Sequence, residues 1–261
     1  MAPEAVRTKA PLDDVPSTRL FAMQRAGREY REARRVLEKA GLNIVGEVLR
    51  GQGTFTELEH YPADDVFDAE SGSQYYYHAH RGTDVEHGHF HTFVRTGRLE
   101  AFAHLPPARA CAGQPAGDEA IAHLVAISMD AWGWPIGLFV TNRWVTDETW
   151  YSAKQVASLL PCFDVDHAWP SLPANRAIGA LMRLFRPQIL DLLVRRDEAI
   201  RRHAALHRGG DVLEDRDLDL LAVVPIDVDA QIEAVDERLR ARAAHGPRRM
   251  SMGTGRLPAG S

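Results

Sequence analysis

Residues 72–93 read GSQYYYHAHRGTDVEHGHFHTF. Five of the chain's twelve histidines, His78, His80, His87, His89 and His91, stand within fourteen positions of this stretch. Side chains two apart along a strand share a face. His78 and His80 therefore point one way together with Tyr76, and His87, His89 and His91 share a face with Phe93. Folding the two runs as a hairpin across RGTDVE sets His80 opposite His87, His78 opposite His89 and Tyr76 opposite His91. In that register all five imidazoles lie on one side of the ribbon, with directly opposed Cβ atoms roughly 4.5–5.5 Å apart. Tyr75, Tyr77, Ala79, Gly88, Phe90 and Val94 fall on the other side and read as its core face. The histidine face then points into a cleft or the interior of a barrel. A slip of one residue in register would destroy the arrangement.

Period-two patterning extends around this hairpin from about residue 54 to 145. TFTELEHY, HLVAISMD and IGLFVTNRW are further short aromatic and β-branched runs, separated by the turn signals PADD, RTGR and AWGWP. Their close spacing favours antiparallel hairpins over crossover units. Helical periods lie on both flanks. STRLFAMQRAGREYREARRVLEKAGLN carries a stripe of Leu20, Met23, Ala26, Tyr30, Ala33 and Leu37, with Ser17 as N-cap and Gly41 as stop. DETWYSAKQVASLLP reads as a short helix. NRAIGALMRLFRPQILDLLVRRDEAIRRHAALH reads as a long one that Pro187 kinks or splits. After it come a short segment, a break at Pro225 and a last amphipathic helix. The class is α+β, with a central antiparallel sheet, open or barrel-like, and N-terminal and C-terminal helices packed around it. Residues 1–16 are expected to be a flexible arm, 17–245 one domain, and 246–261 a disordered tail.

The chain has 261 residues, 45% of them hydrophobic and 26% charged, with a net charge of −5. That balance calls for no nucleic-acid or anionic-membrane partner. No run approaches the about 18 apolar residues of a membrane span, and the opening MAPEAVRTKAPLDDVPSTR lacks the apolar core of a secretory signal. Cys111 and Cys162 form neither a metal-spaced pair nor a framework, in keeping with reduced thiols and a cytoplasmic location. There is no P-loop, GxGxxG fingerprint or nucleophile elbow.

Packing has no need of five imidazoles on one face, and imidazoles this close cannot all be protonated cheaply. A divalent ion removes the repulsion, provided the ring nitrogens are neutral. The five histidines are therefore the candidate ligands of one mononuclear transition metal, iron, manganese or zinc. Such a metalloprotein could be an enzyme acting on a small organic ligand. The alternatives are a non-catalytic module binding a metal or a cofactor such as haem, and a partner protein using its long helices. The segment from Gly72 through five residues to His78-x-His80 resembles the first motif of cupins. That family holds a metal ion inside a small β-barrel, and the resemblance would map two early ligands onto His78 and His80. Glu86 stands one or two residues later than that motif's acid. The chain is also similar to an uncharacterised bacterial family that shares the histidine segment.

Other candidates are weighed beside the cluster. Glu57 and Glu59 share one face of TELEHY, with His60 on the other, and could add a carboxylate to the shell. His123 alternates with Val125, Ile127 and Met129, which reads as a satisfied core histidine. His203 and His207 are one helical turn apart near a helix end, and His167 follows Asp164 and Asp166 in a loop. All five tryptophans, Trp132, Trp134, Trp144, Trp150 and Trp169, fall between 132 and 169, where they pack turns and core or wall a ligand pocket. Asn142, beside Arg143 in an apolar run, is a polar group that could point at the same cavity.

Overall fold

The computed structural model describes residues 12–80, 85–207 and 209–244. Residues 1–11 of the expected arm, 81–84 of the hairpin turn, and the expected tail lie outside them. Six strands form one sheet among the described residues: β1 (Tyr61–Phe67), β2 (Ser73–His78), β3 (Gly88–Arg95), β4 (Ile121–Met129), β5 (Pro135–Thr141) and β6 (Leu220–Pro225). They lie side by side in chain order and every neighbouring pair is antiparallel. The sheet is not closed into a barrel, since β1 and β6 stand at opposite ends of the order. The likeness of Gly72–His80 to the first cupin motif thus does not extend to the fold.

The helices are α1 (Ser17–Lys39), α2 (Ile44–Leu49), α3 (Arg143–Thr146), α4 (Ala153–Leu159), α5 (Leu172–Leu184), α6 (Arg186–Leu206) and α7 (Val228–Ala244). The apolar stripe of α1 is buried at every position its period marks, from Leu20 to Leu37. It packs with α5, α7 and the sheet face carrying Tyr75, Tyr77, Phe90, Leu138 and Val140 into one core. Pro187 has the expected effect: α5 ends at Leu184 and a new helix starts at Arg186, with the proline in its first turn. Val15 is buried in that core, and Arg242 donates to the Asp13 carbonyl, so residues 12–16 run against α7.

One strand is displaced from its expected place. TFTELEHY is a series of turns, and β1 begins at Tyr61, running through the PADD that reads as a turn. Tyr61 pairs with Tyr77 and Val66 with Tyr75, five residues of β1 against two of β2. Three extra residues therefore bulge out of β1 over the histidine face, and Asp65 takes a left-handed φ of 53° there.

Gly27 brings α1 and α7 together. A Cβ at that position would stand 2.8 Å from Cγ1 of Ile232. Gly27→Val should therefore destabilise the chain by about 1–3 kcal/mol through overpacking. Urea denaturation at constant m-value measures it, and an unchanged midpoint would mean that the two helices can separate at no cost.

Candidate metal centre

The hairpin register is the expected one over the described ladder: Tyr76 pairs with His91, Tyr77 with Phe90 and His78 with His89. His78, His89 and His91 share a face and are 8%, 0% and 1% exposed. Each offers a ring nitrogen, and the three nitrogens lie within 4.8 Å of one another. Nε2 of His78 stands 2.9 Å from Nε2 of His89. Two nitrogens bound to one ion at about 2.0–2.1 Å would be roughly 2.9–3.4 Å apart for right-angle to tetrahedral bonding. The His78–His89 separation falls in that range.

The outward nitrogens set the tautomers. His89 Nδ1 is 2.6 Å from Glu86 Oε1. A carboxylate can only accept, so Nδ1 carries the proton, and in the neutral ring Nε2 keeps its lone pair. The His78–His89 contact is then an N–H of His78 donating to His89, the proton that an ion would replace. His91 Nδ1 lies 3.0 Å from Nε2 of His123, which leaves Nε2 as the nitrogen His91 can direct at an ion. Carboxylates and neutral acceptors behind metal-bound imidazoles do this orienting work.

His123 reaches His91 because of a second irregularity. Thr92 pairs with Val125 but Phe93 pairs with His123, so Leu124 is an extra residue in β4. The bulge turns His123 off the face of Val125 and Ile127 and onto the histidine face. Alternation alone puts it on the apolar side. It is buried as expected, but its partner is the cluster. Burial first, then the Arg196 guanidinium and His89, push its pKa down from 6.5 to about 3, so it stays neutral. Behind it, Glu148 accepts from the His123 backbone N–H at 2.7 Å. Burial drives the Glu148 carboxyl up from 4.5 to about 7, against the pull of Arg196 and that hydrogen bond.

The remaining expectations divide. The ring of exposed His80 packs edge-on against His78 and His89, with centroids 4.9 and 5.0 Å away, at the mouth of the cluster. His87 does not join. Its Nδ1 bonds to Tyr77 Oη at 2.6 Å and its ring stacks on Phe55, on the core side of the sheet. Gly88 permits this, since a Cβ there would sit 2.5 Å from Tyr77 Oη. Glu57 and Glu59 are exposed on the turn segment, and the carboxylate behind the cluster is Glu86. His60 stacks on Tyr76 with centroids 3.6 Å apart, one ring away from His78.

The aromatic wall is not made of tryptophan. Tyr76, Phe93 and Phe139 surround the imidazoles, while Trp132 and Trp169 are largely exposed and Trp150 lies under Arg196. Asn142 caps α3 and donates to the Val212 carbonyl, away from the cluster. His203 bonds to Asp215 and stacks on His207, and His167 lies against the Phe67 carbonyl. Cys111 and Cys162 are free thiols.

The two perturbed groups behind the cluster act on stability with opposite signs. Below pH 6.5 the unfolded chain protonates His123 and the native state does not, so its contribution falls as pH drops from 6.5 toward 3. Above pH 4.5 the unfolded chain ionises Glu148 and the native state resists, so stability falls as pH rises from 4.5 to about 7. Glu148→Gln should flatten the second slope, and His123→Gln the first, each by a few kcal/mol, roughly 1.4 per pKa unit. Urea midpoints between pH 4 and 8 give the slopes. Parallel profiles for parent and variants would mean that neither group is held as described.

No curated protein and no solved structure matches the chain. The model of one family, described as a domain of unknown function (DUF6969), matches residues 24–226. That span runs from α1 to the end of β6 and includes every residue of the cluster, and the chain belongs to this family.

Proposed function

We propose that the chain binds one divalent transition-metal ion on His78, His89 and His91 and uses it on a small organic molecule. The observation that carries this reading is the convergence of three buried ring nitrogens within 4.8 Å, one of them backed by a carboxylate. Three neutral imidazoles leave the ion's charge undiminished, and a three-ligand shell keeps a coordination position open, the pattern of catalytic rather than structural sites. An all-imidazole set suits zinc or iron better than manganese, which favours carboxylate oxygen. Bound there, the ion would supply Lewis-acid chemistry or an activated water.

The chain's own residues have separable tasks. Glu86 holds the proton on His89 Nδ1 and so keeps Nε2 as a donor. His123 fixes the ring of His91. Tyr76, Phe93 and Phe139 exclude water and lower the local dielectric. His80, exposed at the mouth, is placed to take the open position or to carry a proton to a bound molecule. A surface cluster with a full shell would suit storage, and burial of the three donors speaks against that use.

Protein purified without a histidine tag, reduced and free of chelator, should hold about one equivalent of metal per chain. His78→Ala with His89→Ala should abolish binding. His203→Ala with His207→Ala should not, because that pair is tied to Asp215. Glu86→Gln should weaken affinity by about 10–100-fold. Binding should fade as pH falls, because protons compete with the ion for the ring nitrogens. At a hundredfold excess over Kd the ion stabilises the native state by about 2.7 kcal/mol, which is roughly 5–11 °C in Tm for a chain of this size. Metal content unaffected by the His78/His89 exchange, or a parent protein that takes up none, overturns the reading.

A further inference from the structure

The bulge in β1 builds a second site beside the cluster. Its extra residues lie over the end of the histidine face and, with β3 and the turns after it, line an open cleft of about 580 Å³. One wall is anionic: Asp64 and Asp65 on the bulge, with His60 beside them. The other is cationic: Arg95 at the end of β3 and Arg98 just beyond it. Gln74, only 8% exposed, forms the floor between them.

These groups are held in place by one another. His60 Nδ1 lies 3.2 Å from Asp65 Oδ1, and Gln74 Nε2 donates to Asp65 Oδ2 at 2.6 Å. Gln74 Oε1 accepts from Arg95 Nε at 2.7 Å, and the Arg95 guanidinium lies over the Phe67 ring. The chain of bonds spans the cleft from its acidic to its basic side. Charged residues on an ordinary solvated face have no such buried amide joining them. Among the described residues Glu119 is the acid paired with both arginines, and at 67% side-chain exposure it is a rim group. A ligand carboxylate can displace it from the guanidinium fork, the geometry that arginine recognises best.

We propose that this cleft binds a small zwitterion, a primary amine and a carboxylate joined by a short carbon chain. Arg95 and Arg98 take the carboxylate, and Asp64 with Asp65 takes the ammonium. Opposite charges on facing walls select a molecule carrying both, and a singly charged ligand leaves one wall unanswered. His60 borders the cleft and its other side stacks on Tyr76 and meets the edge of His78, so this one ring lies between the cleft and the imidazole cluster. The site itself requires no ion, and it stands or falls separately from the metal reading.

Calorimetric titration of the full chain in chelator tests it. The probes are glycine, β-alanine, 4-aminobutyrate and 6-aminohexanoate, with butyrate and butylamine as singly charged controls. One member of the amino-acid series should bind at least about tenfold more tightly than either control, a difference of 1.4 kcal/mol. Asp64→Asn and Arg98→Gln lie on exposed positions that the fold does not need, and each should bring the preferred probe back to the affinity of a singly charged control. Arg95→Gln should abolish binding, with circular dichroism confirming the native fold. Butyrate binding as tightly as the best amino acid, Asp64→Asn and Arg98→Gln both without effect, or no heat from any probe would each overturn the proposal. Repeating the titration without chelator asks only whether a bound ion changes the affinity.

Discussion

Everything at the candidate site depends on the pairing of His78 with His89 across β2 and β3. A pleated strand sends alternate side chains to opposite faces, so this one pair commits Tyr76 and His91 to the same side and Tyr75, Tyr77 and Phe90 to the other. Shifting the ladder by a residue would drive imidazoles into the helix-covered core and expose a row of tyrosines and phenylalanine. The apolar face thus polices the polar one. The helices α1, α5 and α7 contribute nothing to the cluster directly, yet by burying Tyr75, Tyr77 and Phe90 they hold the register in which three ring nitrogens meet.

A buried polar face has to be satisfied internally, because unmatched groups away from water cost on the order of 1–3 kcal/mol each. Imidazole suits such a face. In its neutral form it carries one donor and one acceptor, so rings can bond in series without any net charge. The series here runs from Glu86 through His89 to His78, and from His91 to His123. Its ends differ. Glu86 sits at the hairpin end, with its carboxylate against the outer nitrogen of His89. Glu148 lies fully buried behind the His123 backbone, where burial raises its pKa and favours the protonated form.

Much of this was legible in the residues. The period-two alternation of Tyr76, His78, His89 and His91 places them on one face, and the 3.6-residue stripe of α1 names its buried side. Pro187 marks the break between α5 and α6. What alternation could not reveal is where the ladder is interrupted. An extra residue at Leu124 reverses the face of His123, and three extra residues in β1 move the strand past the PADD that looked like a turn. A bulge is decided by what both partner strands can pack, and its own sequence carries little signal. His87 escaped for a similar reason: Gly88 leaves room for the Tyr77 hydroxyl to reach it, a contact between opposite faces that no period describes.

The two bulges also give the histidine face a relief that a regular ladder lacks. A regular antiparallel ladder presents a flat row of side chains, enough to line up donors but not to enclose them. The insertion in β4 adds an imidazole behind the row, so that His91 is held from its outer nitrogen. The insertion in β1 folds chain over the front of the row, so that His60 covers Tyr76 and the acids face Arg95 across a cleft. The two insertions differ in how they are anchored: the extra residues of β1 lie over the histidine face, whereas Leu124, the extra residue of β4, is fully buried in the core that α1 and α5 cover. The apolar side thus holds the sheet and anchors one insertion, while the departures from regularity give the histidine face its shape.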